Sequence, residues 1–243
     1  MASEKVGPFI DALHDHIKLG NVDCSLTDLF KEKFSSRIQK LTEIAGTQTI
    51  LVPSLQDAHH PEFMFPQAAF QRRELGLPEV YRSHCCLSVF LVTFFFFIFF
   101  LMQTGVLCYP NPVNLYINEV AIGISSVDVI FHLSSEEASR GLTDNRINRL
   151  AGYLLDQRSF YPLFPPRPGT QLELPRLKQL DIPVTPDLML LPSNLAPFAK
   201  EVDGVLCVNP GKLTKAQQGG TYTKLSIFPI KKSGKTRALH FTF

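Results

Sequence analysis

The chain has 243 residues, enough for one sizeable hydrophobic core or for a domain and a half. Its 24 lysines and arginines nearly balance 22 aspartates and glutamates, which excludes a strong overall field that steers the molecule to nucleic acid or to a membrane. The five cysteines include no C-x-x-C pair, so we expect neither a disulfide framework nor a zinc finger. These features favour a reducing compartment.

The first periodic segment, residues 26–44, predicts an amphipathic surface helix because its apolar residues recur at helical spacings. Either Ser25 or Thr27 is expected to cap its start. Residues 47–52 then predict a buried strand, since they are apolar and β-branched and Pro53 stops the run. A helix followed by a strand favours a parallel sheet. The apolar positions of the helix are Leu29, Phe30, Phe34, Ile38 and Leu41.

Residues 85–102 form an almost purely apolar block, and no Asp, Glu, Lys or Arg occurs between Arg82 and Glu119. The block is long enough to span a membrane, and its hydropathy favours insertion. However, it lacks the small residues typical of membrane helix packing. Its phenylalanine-rich low complexity favours a translated intron, because pyrimidine-rich codons encode Phe, Leu, Ser and Ile. A buried core segment is the third interpretation, and all three stay open.

The second half of the chain predicts a series of strands and helices. Residues 115–124 predict a hairpin or two short strands, because apolar residues alternate around Asn118-Glu119. Residues 128–133 predict the start of a helix or another strand, whereas the apolar spacing of residues 144–157 predicts a helix. Further buried strands are predicted at residues 187–191, 204–208 and 222–228.

Residues 160–168 predict a stiff surface loop, since four prolines remove backbone hydrogen-bond donors from this short segment. Rigid proline and aromatic groups lose little conformational entropy when they bind a partner. We therefore expect a partner-binding surface formed by Phe160, Tyr161 and Phe164.

Several segments, read in order, form a pattern that is more specific than any one of them. The earlier segments are Gly7-Pro-Phe-Ile-Asp11, Val52-Pro-Ser-Leu-Gln-Asp-Ala-His-His60 and Ser126-Val-Asp-Val-Ile-Phe-His-Leu133. The later ones are Gln157-Arg-Ser-Phe-Tyr-Pro-Leu-Phe-Pro-Pro166, Pro183-Val-Thr-Pro-Asp187, Val205-Leu-Cys-Val-Asn-Pro-Gly-Lys-Leu-Thr-Lys215 and Gly219-Gly-Thr221. Together they resemble the C-terminal half of the accessory B subunits of DNA polymerase alpha. The apolar block has no counterpart in that family.

The resemblance implies an α/β fold, in which part of a calcineurin-like phosphoesterase β-sandwich is flanked by helices and interrupted by the apolar segment. Active members of that fold hold two metal ions with Asp, Asn and His side chains at strand ends. Here Pro8 stands where a bridging carboxylate is expected, and proline offers no ligand atom. The other matching positions make a poor ligand set: Asp11, Asp57, His59 and Asn209. We therefore expect these positions to be non-functional, with no catalytic residue, metal or cofactor.

The resemblance also sets the expected domain organisation. Residues 1–82 correspond to the first part of an inactive phosphoesterase-like domain, and residues 105–243 correspond to the remainder. Residues 83–104 are the apolar insertion between them. The family's earlier helical and OB domains have no counterpart in this chain, so we expect a truncated domain.

By resemblance, the chain is expected to be a non-catalytic scaffold subunit of the DNA polymerase alpha–primase complex in the nucleus. It is expected to bind the polymerase catalytic subunit directly, primase through that subunit, and DNA only indirectly. No membrane is involved if the apolar block is aberrant. Two alternatives stay open: an active metallophosphoesterase or nuclease, and a membrane protein anchored by residues 85–102.

Overall fold

A computed structural model describes residues 10–11, 16–19, 22–45, 47–57, 60–77, 105–117, 120–140, 145–215, 218–227 and 239–242. The chain divides into two compact units. The first comprises residues 1–62 and 68–110, and the second comprises residues 63–67 and 111–243. The expected boundaries of the apolar insertion stay a prediction, because residues 78–104 lie outside the described part of the chain.

Between residues 10 and 77, short strands precede and follow one long helical segment. In chain order the elements are β1 (Ile10–Asp11), β2 (His16–Leu19), β3 (Val22–Ser25), α1 (Leu26–Phe30), a π-helical turn (Lys31–Ser35), α2 (Ser36–Ala45), β4 (Thr49–Leu51) and β5 (Met64–Phe65). Strands β1, β2 and β3 form a small antiparallel sheet.

Beyond residue 104, strands alternate with helices. In chain order the elements are β6 (Val106–Cys108), β7 (Val113–Ile117), β8 (Val120–Ile124), α3 (Val129–Glu136), α4 (Arg146–Asp156), β9 (Gln171–Leu172), a 3-10 helix (Leu174–Leu180), β10 (Leu188–Leu190), β11 (Phe198–Val202), β12 (Val205–Asn209), β13 (Thr214–Lys215), β14 (Gln218–Gly219), β15 (Lys224–Ile227) and β16 (Leu239–Thr242). The short strands β5 and β9 pair in parallel.

Elements predicted from periodicity in the second half of the chain are confirmed. The hairpin over residues 115–124 is the antiparallel pair of β7 and β8. Residues 128–133 begin helix α3, and Asp128 caps it by accepting a hydrogen bond from the backbone N–H of Phe131 at 3.2 Å. The helix predicted over residues 144–157 is α4, and the three later predicted strands are β10, β12 and β15.

The helix predicted over residues 26–44 is present as α1, the π turn and α2 in direct succession. Ser25 caps its start, because its Oγ accepts a hydrogen bond from the backbone N–H of Asp28 at 3.1 Å. The apolar residues of this helix differ in burial, however. Phe30 and Ile38 pack against the core, whereas Phe34 and Leu41 are exposed.

The core of the first unit is formed by the buried side chains of Leu75, Leu77 and Val106. Strands β4 and β6 pair in parallel, which confirms the arrangement that the helix-then-strand pattern predicts. Strand β6 belongs to this unit, although the sequence division groups it with the second half of the domain. Partly buried apolar side chains surround the core: Phe30, Ile38, Leu51, Phe70 and Cys108.

The second unit is organised around a sheet of five described strands in the order β11-β12-β10-β8-β7. Strands β8, β10 and β12 are parallel, and the two outer strands are antiparallel to their neighbours. Val120, Ile122, Leu188 and Val208 form a buried apolar cluster on this sheet. Burial of each such side chain stabilises the fold by about 1.5–3 kcal/mol.

Glu137 links helices α3 and α4 of the second unit. Its carboxylate accepts a hydrogen bond from Arg149 Nε at 2.6 Å and another from Arg146 Nε at 3.0 Å. The hydrogen bond from Arg149, with that from Arg146, holds the pKa of Glu137 below its usual value. The buried face of α4 consists of Leu150, Ala151 and Leu154.

The described residues form a mixed α/β structure, which confirms the predicted fold class. Among these residues, no helix has both the length and the apolar character needed to cross a membrane. Residues 85–102 lie outside them, so the three interpretations of the apolar block stay predictions.

Candidate functional site

The carboxyl ends of β8, β10 and β12 meet at one edge of the sheet, because these strands are parallel and in register. In α/β sheets, ligands bind at this edge. The side chains that follow the strands here are polar: Ser125 after β8, Ser193 after β10, and Asn209 at the end of β12. We call this the carboxyl edge.

Asn209 is fully buried at the carboxyl edge, and its amide group is committed to the backbone. Its Oδ1 accepts hydrogen bonds from the backbone N–H groups of Ser193 and Gly211, each at 2.9 Å. Its Nδ2 donates to the carbonyl oxygens of Leu195 and Ala196, each at 3.2 Å. A primary amide offers two donors and one acceptor oxygen with two lone pairs, so its hydrogen-bonding capacity is used. Asn209 therefore holds the loops after β10 and β12 in place.

Asp128 is the carboxylate at this edge, and its two oxygens have separate structural roles. Oδ1 caps helix α3. Oδ2 accepts hydrogen bonds from the backbone N–H of Asn194 at 2.7 Å and from its side-chain Nδ2 at 2.8 Å. The carboxylate thus fastens the loop after β10 to the start of α3.

A buried pair of amide side chains lies beside the end of β8. Asn111 Nδ2 donates a hydrogen bond to Gln67 Oε1 at 3.1 Å, and Asn111 Oδ1 accepts one from the backbone N–H of Ser126 at 3.0 Å. The hydroxyl of Ser125 is buried and has no hydrogen-bond partner among the described residues. One neutral hydroxyl among amides does not make a ligand set for a divalent metal ion.

The positions matched to phosphoesterase metal ligands are only partly described. Pro8 and His59 lie outside the described residues, and Asp11 is described only as part of strand β1, where it pairs with His16. Asp57 lies in the first unit, and its backbone N–H bonds to the carbonyl of Ser54 at 3.0 Å. Among the described residues, no three His, Cys, Asp or Glu side chains are grouped so that they hold a metal ion. The expectation that these positions are non-functional stays a prediction.

The neighbouring His60 is a buried structural residue. Its Nε2 donates to the carbonyl oxygen of Ala68 at 2.9 Å, and its Nδ1 accepts from the backbone N–H of Glu62 at 3.1 Å. Its ring packs edge-on against Phe70. Both ring nitrogens are therefore used within the first unit.

The prediction that Phe160 and Tyr161 form a surface is wrong, because both side chains are buried. Phe160 has 0% exposure and lies under strand β8. A Cβ atom at Gly123 would lie only 3.2 Å from Phe160 Cζ, so the glycine makes room for the ring. The backbone N–H of Phe160 also bonds to the carbonyl of Leu180 at 2.8 Å. The prolines predict a loop, but they do not reveal that its first two aromatic residues enter the core.

Tyr161 and Arg167 fix the two ends of the loop to helix α3. The Tyr161 hydroxyl accepts a hydrogen bond from the backbone N–H of Arg167 at 3.2 Å and lies 3.2 Å from His132 Nδ1. Burial, together with the charge of Arg167, lowers the pKa of His132, which favours a neutral ring. The Arg167 guanidinium lies 4.6 Å above the ring of Phe131.

Phe164 is the aromatic residue of the predicted surface that the structure exposes. Its side chain is 75% exposed, between the anchored residues Tyr161 and Arg167. An aromatic group on a loop held at both ends loses little entropy on binding. Phe164 therefore remains the candidate contact, and its role in partner binding stays a prediction.

Comparison with known proteins decides the family. The family model that describes the B subunits of DNA polymerases alpha and epsilon matches residues 6–200. The chain belongs to this family. The match confirms the resemblance drawn from the ordered sequence segments.

Several curated relatives are named as B subunits of DNA polymerase alpha. The Rattus norvegicus protein is 34% identical over 226 residues, which cover 91% of this chain and 33% of the relative. The Schizosaccharomyces pombe protein is 34% identical over 250 residues, which cover 97% of this chain and 38% of the relative. The Saccharomyces cerevisiae protein is 26% identical over 265 residues, which cover 91% of this chain and 34% of the relative. The chain spans about a third of the length of these relatives.

Proposed function

We propose that this chain is a non-catalytic accessory subunit that binds the catalytic subunit of DNA polymerase alpha in the nucleus. It acts there in the initiation of DNA replication as part of a hetero-oligomer. Primase is reached through the catalytic subunit, and DNA is contacted only indirectly. The observation that carries this proposal is the match to the family of polymerase B subunits over residues 6–200.

The geometry of the carboxyl edge supports a role without chemistry. Catalysis by a two-metal phosphoesterase needs several free oxygen and nitrogen ligands that converge on the ions. At this edge, both Asn209 and Asp128 direct their polar atoms to backbone groups and to Asn194. Hydrogen bonds that hold loops together support a structural role for these two side chains.

The loop of residues 160–168 supports a role in protein binding. Its ends are held by Phe160 in the core and by Arg167 on Phe131, whereas Phe164 projects to solvent. Binding energy at protein interfaces concentrates in a few buried aromatic anchors. An exposed phenylalanine on a fixed loop has the properties of such an anchor.

Co-purification with the polymerase catalytic subunit tests the proposal. We expect the full chain, co-expressed with a tagged DNA polymerase alpha catalytic subunit, to elute with it from a size-exclusion column at high salt. In parallel, the purified chain is expected to leave bis(p-nitrophenyl) phosphate intact in Mn²⁺. Failure to co-elute argues against the accessory role. Mn²⁺-dependent hydrolysis that tracks with the protein establishes a metallophosphoesterase instead.

A further inference from the structure

The helical segment of residues 26–45 exposes three large apolar side chains. Phe34 and Leu41 are each 58% exposed, and Ile44 is 86% exposed. By contrast, Phe30 and Ile38 of the same segment pack against the core of the first unit. Exposed apolar residues that occur together on one element, unlike isolated ones, mark interaction sites.

A π turn spans Lys31–Ser35 of this segment and closes i→i+5 hydrogen bonds. The polar Ser35 at its end is buried, and its Oγ donates to the carbonyl oxygen of Leu75 at 2.6 Å. π turns occur frequently at functional sites.

A second polar contact fixes which side of the helix faces inward. Gln39 Nε2 donates a hydrogen bond to the carbonyl oxygen of Gly76 at 2.8 Å. Ser35 and Gln39 thereby attach two successive turns to residues 75 and 76. Rotation of the helix to bury Leu41 and Ile44 breaks both bonds, so the two bonds hold these side chains outward.

Two cations lie among the exposed apolar residues. Arg37 is one turn before Leu41, and Lys40 is one turn before Ile44, so each cation neighbours an apolar side chain on the helix surface. Neither cation forms an ion pair among the side chains that the structure describes. Elsewhere on the helix, Lys31 pairs with Asp28 and Lys33 pairs with Glu32.

We propose that this outer helix face, formed by Phe34, Arg37, Lys40, Leu41 and Ile44, docks an acidic amphipathic helix of a partner protein. The apolar side chains match the apolar stripe of such a helix, and the two cations match carboxylates beside that stripe. This charge complementarity selects an acidic occupant over a basic one. The surface lies in the first unit and does not include Phe164, so the proposal goes beyond the proposed function.

Peptide binding tests the proposal directly. The probe is a fluorescein-labelled amphipathic helical peptide with leucines on one face and glutamates beside them, and its control carries lysines in place of the glutamates. We expect the full chain to bind the glutamate peptide in fluorescence anisotropy and to bind the lysine peptide at least about tenfold more weakly, a difference of about 1.4 kcal/mol.

Matched variants locate the binding surface. The double variant Leu41→Ser/Ile44→Ser is expected to weaken binding of the glutamate peptide about tenfold or more. The double variant Arg37→Glu/Lys40→Glu keeps the apolar residues and is expected to reverse the preference between the two peptides. Leu213→Ser removes an exposed apolar side chain from the second unit and is expected to leave binding unchanged.

Four results overturn the proposal. The first is that the chain binds neither peptide, and the second is that it binds both equally. The third is that Leu41→Ser/Ile44→Ser binds like the unaltered chain while circular dichroism shows both to be folded. The fourth is that the face instead binds anionic lipid vesicles or a second copy of this chain, detected by sedimentation. None of these assays contains the polymerase catalytic subunit, so failure here is distinguishable from failure of the accessory role.

Discussion

The carboxyl edge of the second unit and the outer helix face of the first unit differ in whether their side chains have found partners. At the carboxyl edge, polar residues of the kind found in metal sites are used up in hydrogen bonds, as Asn209 shows. On the outer helix face, apolar residues of the kind found in cores remain in water, as Ile44 shows. The difference teaches that residue type alone does not identify a site. A site is identified by side chains that have no partner within the described structure.

A large effect on stability is expected for Asn209→Ala at the carboxyl edge. The substitution leaves the backbone N–H groups of Ser193 and Gly211 and the carbonyls of Leu195 and Ala196 without their partner. Because each unsatisfied buried group costs about 1–3 kcal/mol, we expect the free energy of unfolding to fall by about 3 kcal/mol or more. Urea unfolding of the full chain, followed by circular dichroism, measures the change.

Asn209→Asp sharpens the comparison, since it supplies the carboxylate that a metal site prefers. We expect this variant to be destabilised equally with and without Mn²⁺, because the new carboxylate faces the carbonyl oxygens of Leu195 and Ala196. The matched control Asn194→Ala alters an exposed amide and is expected to cost less than Asn209→Ala. A gain in stability that depends on Mn²⁺ in Asn209→Asp contradicts the structural role of this position.

A smaller effect is expected for Gly123→Val, which tests whether the buried ring of Phe160 packs closely against Gly123. The added side chain enters the space of the Phe160 ring, where even a Cβ atom lies within 3.2 Å. Overpacking of this kind costs about 1–3 kcal/mol. Gly152→Ala in helix α4 is the control: its Cβ meets only Val202 at 3.8 Å, and it is expected to stabilise by about 0.5–1 kcal/mol. Equal effects of the two substitutions contradict the close approach of Phe160 to β8.

The next expected effect concerns pH and the anchor of the same loop. The folded pKa of His132 lies below its unfolded value of 6.5, so between these two values the unfolded chain binds a proton that the folded chain does not. Its contribution to stability is therefore present above pH 6.5 and is lost as the pH falls through the folded pKa. We expect His132→Gln to reduce the loss of stability between about pH 7.5 and about pH 5.5, measured by urea unfolding of both proteins. If His132→Gln loses as much stability over this pH range as the unaltered chain, protonation of His132 in the Tyr161 contact does not cause the loss.

The smallest effect on stability is expected for Phe164→Ser. The side chain is 75% exposed, and surface substitutions away from special features change the free energy of unfolding by less than about 0.5 kcal/mol. Phe160→Ser on the same loop is expected to cost about 3–5 kcal/mol, because it empties a buried ring site. Similar losses for the two variants contradict the division of the loop into a buried base and an exposed tip.

Local patterns predict most elements of this fold, and contacts between distant segments decide the rest. The apolar runs at residues 187–191 and 204–208 correctly predict β10 and β12, because fully buried parallel strands are apolar on both faces. The burial of Phe160 depends on Gly123, a residue far earlier in the chain, so no local pattern contains it. The helical period of about 3.6 assumes a regular helix, and the π turn at Lys31–Ser35 breaks that assumption.

The candidate site was predictable only as a list of residue types. The sequence indicates that Asn209 stands at a position matched to a metal ligand, but only the loops after β10 and β12 show that its amide is committed to backbone groups. Likewise, the prolines indicate a rigid loop, whereas the exposure of Phe164 and the burial of Tyr161 depend on contacts with helix α3 and strand β5.

The most direct test of the accessory role is isothermal titration of the full chain into purified DNA polymerase alpha catalytic subunit. We expect saturable binding that Phe164→Ser weakens about tenfold or more and that Tyr222→Ser, which alters another exposed aromatic residue of the second unit, leaves unchanged. Absence of binding by the folded, unaltered chain contradicts the accessory role. Binding that Phe164→Ser and Tyr222→Ser weaken equally contradicts the assignment of the loop as the contact.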